Sequence, residues 1–142
     1  MSTLNLYLTF TDEAEAAFNF YKSVLGGEFT DLNRFGDMPA DEQNPMPDEY
    51  KNRIMHISYP VGGMVLMASD TAPGYGSPLN KGNNFSISIG ASSKEDADRI
   101  FSGLSENGTI TMPLADTFWG AYFGMWIDQF GINWMINYDY PK

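Results

Sequence analysis

The stretch LNLYLTFTDEAEAAFNFYKSVLGG, residues 4–27, changes its hydrophobic period halfway along. Leu4, Leu6, Leu8 and Phe10 alternate with Asn5, Tyr7 and Thr9, the pattern of a strand with one face on a core. From Ala14 the spacing turns helical, and Ala14, Ala17, Phe18, Tyr21 and Leu25 fall on one stripe. Asp12 with Glu15 reads as a capping box, and Gly26 supplies the stop.

Three more strands complete this unit. EFTDLNRF (28–35) is the first, and NRIMHISYP (52–60) and MVLMASD (64–70) follow, joined by the turn chemistry of PVGG. Between them FGDMPADEQNPMPDEY (35–50) holds three prolines, five acids and no base, which predicts a long loop or lid. TAPGYGSPLNKGN (71–83) is a linker. The pattern then restarts. NFSISIG alternates Phe85, Ile87 and Ile89 against Ser86 and Ser88. SSKEDADRIFSGL places Ala97, Ile100, Phe101 and Leu104 on one stripe, with Ser92 and Glu95 as a capping box. NGTITMPLAD, FWGAYFGMWI and INWMINYD read as strands, the last two joined by a turn at DQFG.

The chain is thus one β-α-β-β-β unit written twice. Each helix can cover only one face of its sheet, so each sheet keeps an uncovered face. The expected fold is α+β: two tandem βαβββ modules forming a cupped half-barrel of mixed sheet, helices outside. It is expected as a single domain over 1–142, with module one about 4–70, a linker about 71–83 and module two about 84–139.

Bulk composition narrows the function classes. A chain of 142 residues that is 43% hydrophobic and 15% aromatic can bury its own core. The lack of cysteine excludes disulfide frameworks, zinc-thiolate sites and cysteine nucleophiles, and fits the cytoplasm. No signal peptide and no membrane-length apolar run is read. A formal net charge of −10 repels phosphate backbones, so nucleic acid is not an expected partner, and without a membrane-length run neither is a membrane. Walker, EF-hand, HExxH and GxSxG motifs are absent, as is a Gly-rich turn after the first strand.

The stretches AFNFYKSVLGGEF, RIMHISYPVGG, LMASD, ADRIFSGL, MPLADTFWGAYFG and DQFGINWMIN run through most of the chain. Together with the doubled module they resemble the vicinal oxygen chelate superfamily, which holds glyoxalase I, extradiol dioxygenases and bleomycin and fosfomycin resistance proteins. Within it the resemblance is closest to the PhnB-like group. It implies a ligand site in the cup and a homodimer. In metal-dependent members of that superfamily, four inward strand positions supply His and Glu ligands. By face parity these fall near Asn5, Met67, Asn84 and Met135. Two amides and two thioethers suit a divalent ion poorly, so no cofactor is expected.

His56, the only histidine, shares a strand face with Ile54 and Ser58 by alternation and is the candidate acid or base. Glu49 and Asp70 are its candidate carboxylate partners; the bland readings are a solvated loop charge and a strand-end turn residue. Tyr7, Met67, Ser69, Ser86, Trp119, Trp126, Met135 and Asn137 are candidate pocket residues, with core packing or a dimer interface as the alternative. Three functions follow. The first is a metal-independent small-molecule binding protein. The second is a lyase or isomerase using His56 with a carboxylate or an off-position divalent metal. The third is a non-catalytic regulatory dimer.

Overall fold

The computed structural model describes residues 2–39, 42–43, 45–74 and 78–142. It divides into two compact units, Met1–Asn80 and Lys81–Lys142. The first unit runs β1 (Leu6–Phe10), α1 (Ala14–Leu25), β2 (Asp31–Arg34), β3 (Ile54–Val61) and β4 (Met64–Asp70). The second runs β5 (Ile87–Gly90), α2 (Lys94–Leu104), β6 (Thr109–Asp116), β7 (Ala121–Ile127) and β8 (Asn133–Asp139). The first sheet has the order β1-β4-β3-β2 and the second β5-β8-β7-β6. In each, the first strand of the module pairs parallel with the last, and the other pairs are antiparallel. This is the α+β, twice-written βαβββ plan that the sequence predicts.

In the first unit the alternation sorts side chains by face. Leu8, Phe10, Ile57, Tyr59, Leu66 and Ala68 are buried on the side of α1, against Ala14, Ala17, Phe18 and Tyr21. Phe18 touches Phe10, Tyr21, Phe29 and Tyr59 with ring centroids 5.8–6.4 Å apart. Full burial of such a side chain contributes about 1.5–3 kcal/mol. The Tyr59 hydroxyl donates to the Gly26 carbonyl, which ties the end of α1 to the middle of β3.

The start of α1 differs from the expected capping box. The N-cap is Glu13, and no side chain next to it in sequence caps the helix. Asp70, at the end of β4 and only 4% exposed, does so instead. Its Oδ1 accepts from the Ala14 N–H at 2.9 Å, and its Oδ2 accepts from the Ile54 N–H at 2.8 Å. Glu15, released from capping, takes Arg34 in a two-pronged pair at 2.8 and 3.0 Å and so joins α1 to β2. That pairing holds the Glu15 carboxyl below its usual range.

Strict alternation along β3 also fails, at one place. Asn33 pairs with His56 but Arg34 pairs with Ile54, so Met55 is an extra residue in β3. This bulge turns Ile54 to the helix side with Ile57, where both are buried, and leaves His56 and Ser58 on the opposite face.

In the second unit the helix begins one residue later than expected. Ser93 is the N-cap and accepts from the Asp96 N–H at 3.0 Å, while Asp96 Oδ2 accepts from the Ser92 N–H and hydroxyl at 3.1 Å. Ala97, Ile100, Phe101 and Leu104 are buried as predicted. Phe118 to Gly120 form the β6–β7 turn rather than the start of β7, with Gly120 at φ 89°. The β7–β8 turn lies where DQFG predicts it, and Gly131 has φ 87°. Of the 35–50 loop, Ala40, Asp41 and Asn44 lie outside the described residues. The rest carries 3-10 turns at Phe35–Asp37 and Asp48–Tyr50, with Phe35 buried. No helix among the described residues is long and apolar enough to cross a membrane.

Burial raises the Asp70 carboxyl above the ordinary aspartate value of 3.8, and desolvation outweighs its two N–H donors. A raised carboxyl in the folded state makes its full contribution below that ordinary value and loses it as pH rises through the folded one. Asp70→Asn removes one of the two acceptors and is expected to cost about 1–3 kcal/mol in urea unfolding. The stability gap between wild type and Asp70→Asn is expected to narrow as the pH is raised across the acid range, and a gap that widens would contradict this assignment.

Candidate functional site

The helix-free face of the first sheet is laid out by register. Tyr7 on β1 pairs with Met67 on β4, Met67 with Ser58 on β3, and Ser58 with Asp31 on β2. Beside this row stand Thr9 paired with Ser69, and His56 paired with Asn33. Paired residues share a sheet face, so these eight side chains emerge together.

His56 is the centre of this face. Its Nδ1 lies 3.2 Å from the Tyr7 hydroxyl and its Nε2 lies 2.8 Å from Ser58 Oγ. The phenol and imidazole rings are 5.7 Å apart and tilted by 37°. Tyr7 and His56 sit on strands separated by β4, so the tyrosine reaches across the width of one strand to meet the imidazole. A neutral imidazole has one N–H and one bare nitrogen, so one hydroxyl donates to it and the other accepts from it. The three side chains form an unbroken hydrogen-bonded chain, Tyr7–His56–Ser58, half-open to solvent.

The carboxylates expected beside His56 stand elsewhere. Asp70 emerges on the helix side, because β4 alternation places it with Leu66 and Ala68, and both its oxygens hold backbone N–H groups. Glu49 is exposed on the 3-10 turn Asp48–Tyr50, and no hydrogen bond joins it to His56. The carboxylate that does share the face is Asp31, whose Oδ1 accepts from Asn33 Nδ2 at 3.4 Å. Ser58, Asn33 and Asp31 were not singled out from sequence. The signal for Ser58 was its place two residues after His56; Asn33 and Asp31 needed the β2–β3 register.

In the second unit the helix-free face carries a row of thioethers. Ser88 pairs with Met135, Met135 with Met125, and Met125 with Met112. Asn137 shares this face, and its Nδ2 donates to Asp139 Oδ1 at 2.9 Å. Two expected pocket residues lie apart from it. Trp119 is in the β6–β7 turn and is 59% exposed, against Phe118 at 4.9 Å. Trp126 is in the helix-side core, stacked on Trp134 at 6.1 Å and edge-on to Phe101 of α2 at 5.2 Å. The Trp134 Nε1–H donates to buried Asp128, which also accepts from the N–H groups of Phe130 and Ile132. Ser86 precedes β5 and is half-buried.

The positions implied for metal ligands do not fit a divalent ion. Asn5 precedes β1 and its Oδ1 accepts from the Val65 N–H, Met67 and Met135 carry thioethers, and Asn84 precedes β5. No group of three or more His, Cys, Asp or Glu among the described residues could hold a metal ion. Hard divalent ions favour carboxylate oxygens and borderline ones such as zinc add imidazole, and this set offers neither group.

A doubled βαβββ plan with one helix-free face on each sheet defines a class, and comparison with known sequences agrees with it. The pattern of the Glyoxalase/Bleomycin resistance protein/Dioxygenase superfamily matches residues 3–136, and the chain belongs to that superfamily. It is similar to Protein YjdN of Escherichia coli K12, with 32% identity over 94% of this chain and 93% of that one. Among solved structures it is similar to protein PA1353 from Pseudomonas aeruginosa, with 40% identity, a TM-score of 0.84 and 98% of both chains covered. The PhnB protein from Bacillus cereus shares the fold at 24% identity and a TM-score of 0.75, covering 96% of this chain and 99% of that one.

The two tryptophans separate core from surface. Trp126→Ala is expected to destabilise the chain by about 3–5 kcal/mol, as the loss of a buried aromatic does. Trp119→Ala is expected to change it by no more than about 0.5 kcal/mol. Chemical denaturation of the two variants measures both, and equal costs would refute the placement.

Proposed function

We propose that this protein binds a small organic molecule without a metal ion, using the helix-free face of the first module around His56. The observation that carries this reading is the engagement of both imidazole nitrogens by hydroxyls, from Tyr7 and Ser58. A histidine held in this way presents hydrogen-bonding groups to a ligand. Beside it Met67 offers a polarizable apolar surface and Ser69 and Asn33 offer further polar anchors. Met125 and Met135, with Ser88 and Asn137, give the second module a comparable apolar face with polar edges.

A second reading, proton transfer by His56 in an enzyme of the lyase or isomerase kind, is favoured by the same hydrogen-bonded chain. Its partners are then Tyr7 and Ser58, while Asp70 serves the fold. The binding reading also includes a cytoplasmic homodimer in which modules 4–70 and 84–139 act as one domain. Support for the dimer comes from apolar side chains left exposed in the second unit, Ile110, Met112, Phe118 and Trp119. Light scattering is expected to return twice the chain mass.

Native mass spectrometry of the protein purified with and without a chelator tests the main reading. The expected result is the same organic adduct from both preparations, lost on His56→Ala. Stoichiometric divalent metal that disappears in His56→Ala would overturn it in favour of the metal-dependent enzyme.

A further inference from the structure

We infer that the Tyr7–His56–Ser58 chain makes binding on this face proton-linked, and that it selects compounds whose polar group is acceptor-only, a carboxylate above all, when His56 is protonated. This rests on the binding reading above and adds to it the chemical class of the ligand.

The reasoning is a count of protons. With a neutral ring, one of the two hydroxyls must give its hydrogen to the bare nitrogen, whichever tautomer is present. That hydroxyl then offers a ligand only lone pairs. The other accepts from the ring N–H and keeps its own O–H free. When the ring takes a second proton, both nitrogens donate and both hydroxyls accept. Both O–H groups are then free to donate outward, with a positive charge behind them. One proton therefore converts the face from one donor to two. An oxygen that can only accept gains from the change, and charge assistance strengthens each bond. A ligand hydroxyl, able to play either role, gains little.

The surrounding charges make the coupling one-sided. None of the eight paired positions of this face carries lysine or arginine. Arg34 on β2 is committed to Glu15 and to the carbonyl of Asn52. On β4 the neighbours are Met67 and Ser69, and Asp70 is turned to the other side. On β1 the titratable neighbour is Tyr7 itself, and on β2 it is Asp31, in the same row as Ser58. With Asp31 on the face and a formal net charge of −10 on the chain, a carboxylate is repelled until His56 supplies a positive charge.

Benzoate is a suitable probe, since its ring can lie on the Met67 thioether, with benzyl alcohol as its neutral counterpart. Each is titrated into the full chain and followed by amide chemical shifts at about pH 5.5 and about pH 8, on either side of the usual histidine range. Benzoate is expected to bind about tenfold tighter at the lower pH, and benzyl alcohol equally at both. His56→Gln is expected to flatten the benzoate profile, and Tyr7→Phe and Ser58→Ala each to weaken benzoate at the lower pH only. Equal benzoate affinity at both pH values, or a pH dependence that survives His56→Gln, would overturn the inference. If benzyl alcohol moves resonances of β1, β3 and β4 while benzoate shows no pH dependence, binding stands and proton linkage falls. If neither compound moves them, both fall.

Discussion

The first module depends on a buried carboxylate. Asp70 ends β4, opens α1 through the Ala14 N–H and fixes the edge of the β3 bulge through the Ile54 N–H. Three elements distant in sequence meet at one side chain. A buried acceptor with two oxygens is well matched to two orphan N–H groups, one at a helix start and one beside a bulge. An N–H left unpaired in an apolar surrounding costs about 1–3 kcal/mol, and Asp70 removes that cost at both places. The bulge in turn lets Ile54 join Ile57 in the core, while His56 keeps the opposite face with Ser58.

The second module repeats the plan with a different tie. Asp128 is also buried, but it closes the β7–β8 turn and holds the Trp134 indole instead of opening a helix. Helix α2 has its own Ser93 cap and needs no acceptor from a strand end. The helix-free faces diverge accordingly. One carries imidazole, hydroxyls and amide; the other carries a thioether row flanked by Ser88 and Asn137. The same backbone arrangement presents two chemistries, because a strand's outward positions are not constrained by the core.

The candidate site was partly legible in the sequence. Tyr7, Met67 and Ser69 belong on one face by alternation, and β1–β4 pairing brings them together. His56 also belongs there by alternation with Ser58, and the bulge displaced only Ile54. Ile54, His56 and Ser58 look equivalent by period, yet Ile54 is buried on the far side. Trp126 was read as a pocket residue, with core packing as the alternative. Its partner across the ladder is Trp134, and their stacking against Phe101 places the indole under the helix. Glu49, just before β3, and Asp70, at the end of β4, were linked to His56 by their places at strand ends, which carry no information about which face a side chain takes.

Amphipathic periods alone determined the element order, the repeat and the two helix stripes. Those periods are local, set by 3.6 residues per helical turn and two per strand repeat. The DQFG turn was likewise readable, since only a residue tolerant of positive φ suits Gly131. Tertiary structure decided the rest. It chose Asp70 over Asp12 as the acceptor for α1, and sent Glu15 to Arg34. It brought Tyr7 across β4 to His56, through a strand order that puts the last strand of the module beside the first. Those contacts span 49 and 56 positions of chain, and long-range pairing is fixed by the packing of whole elements rather than by any local pattern.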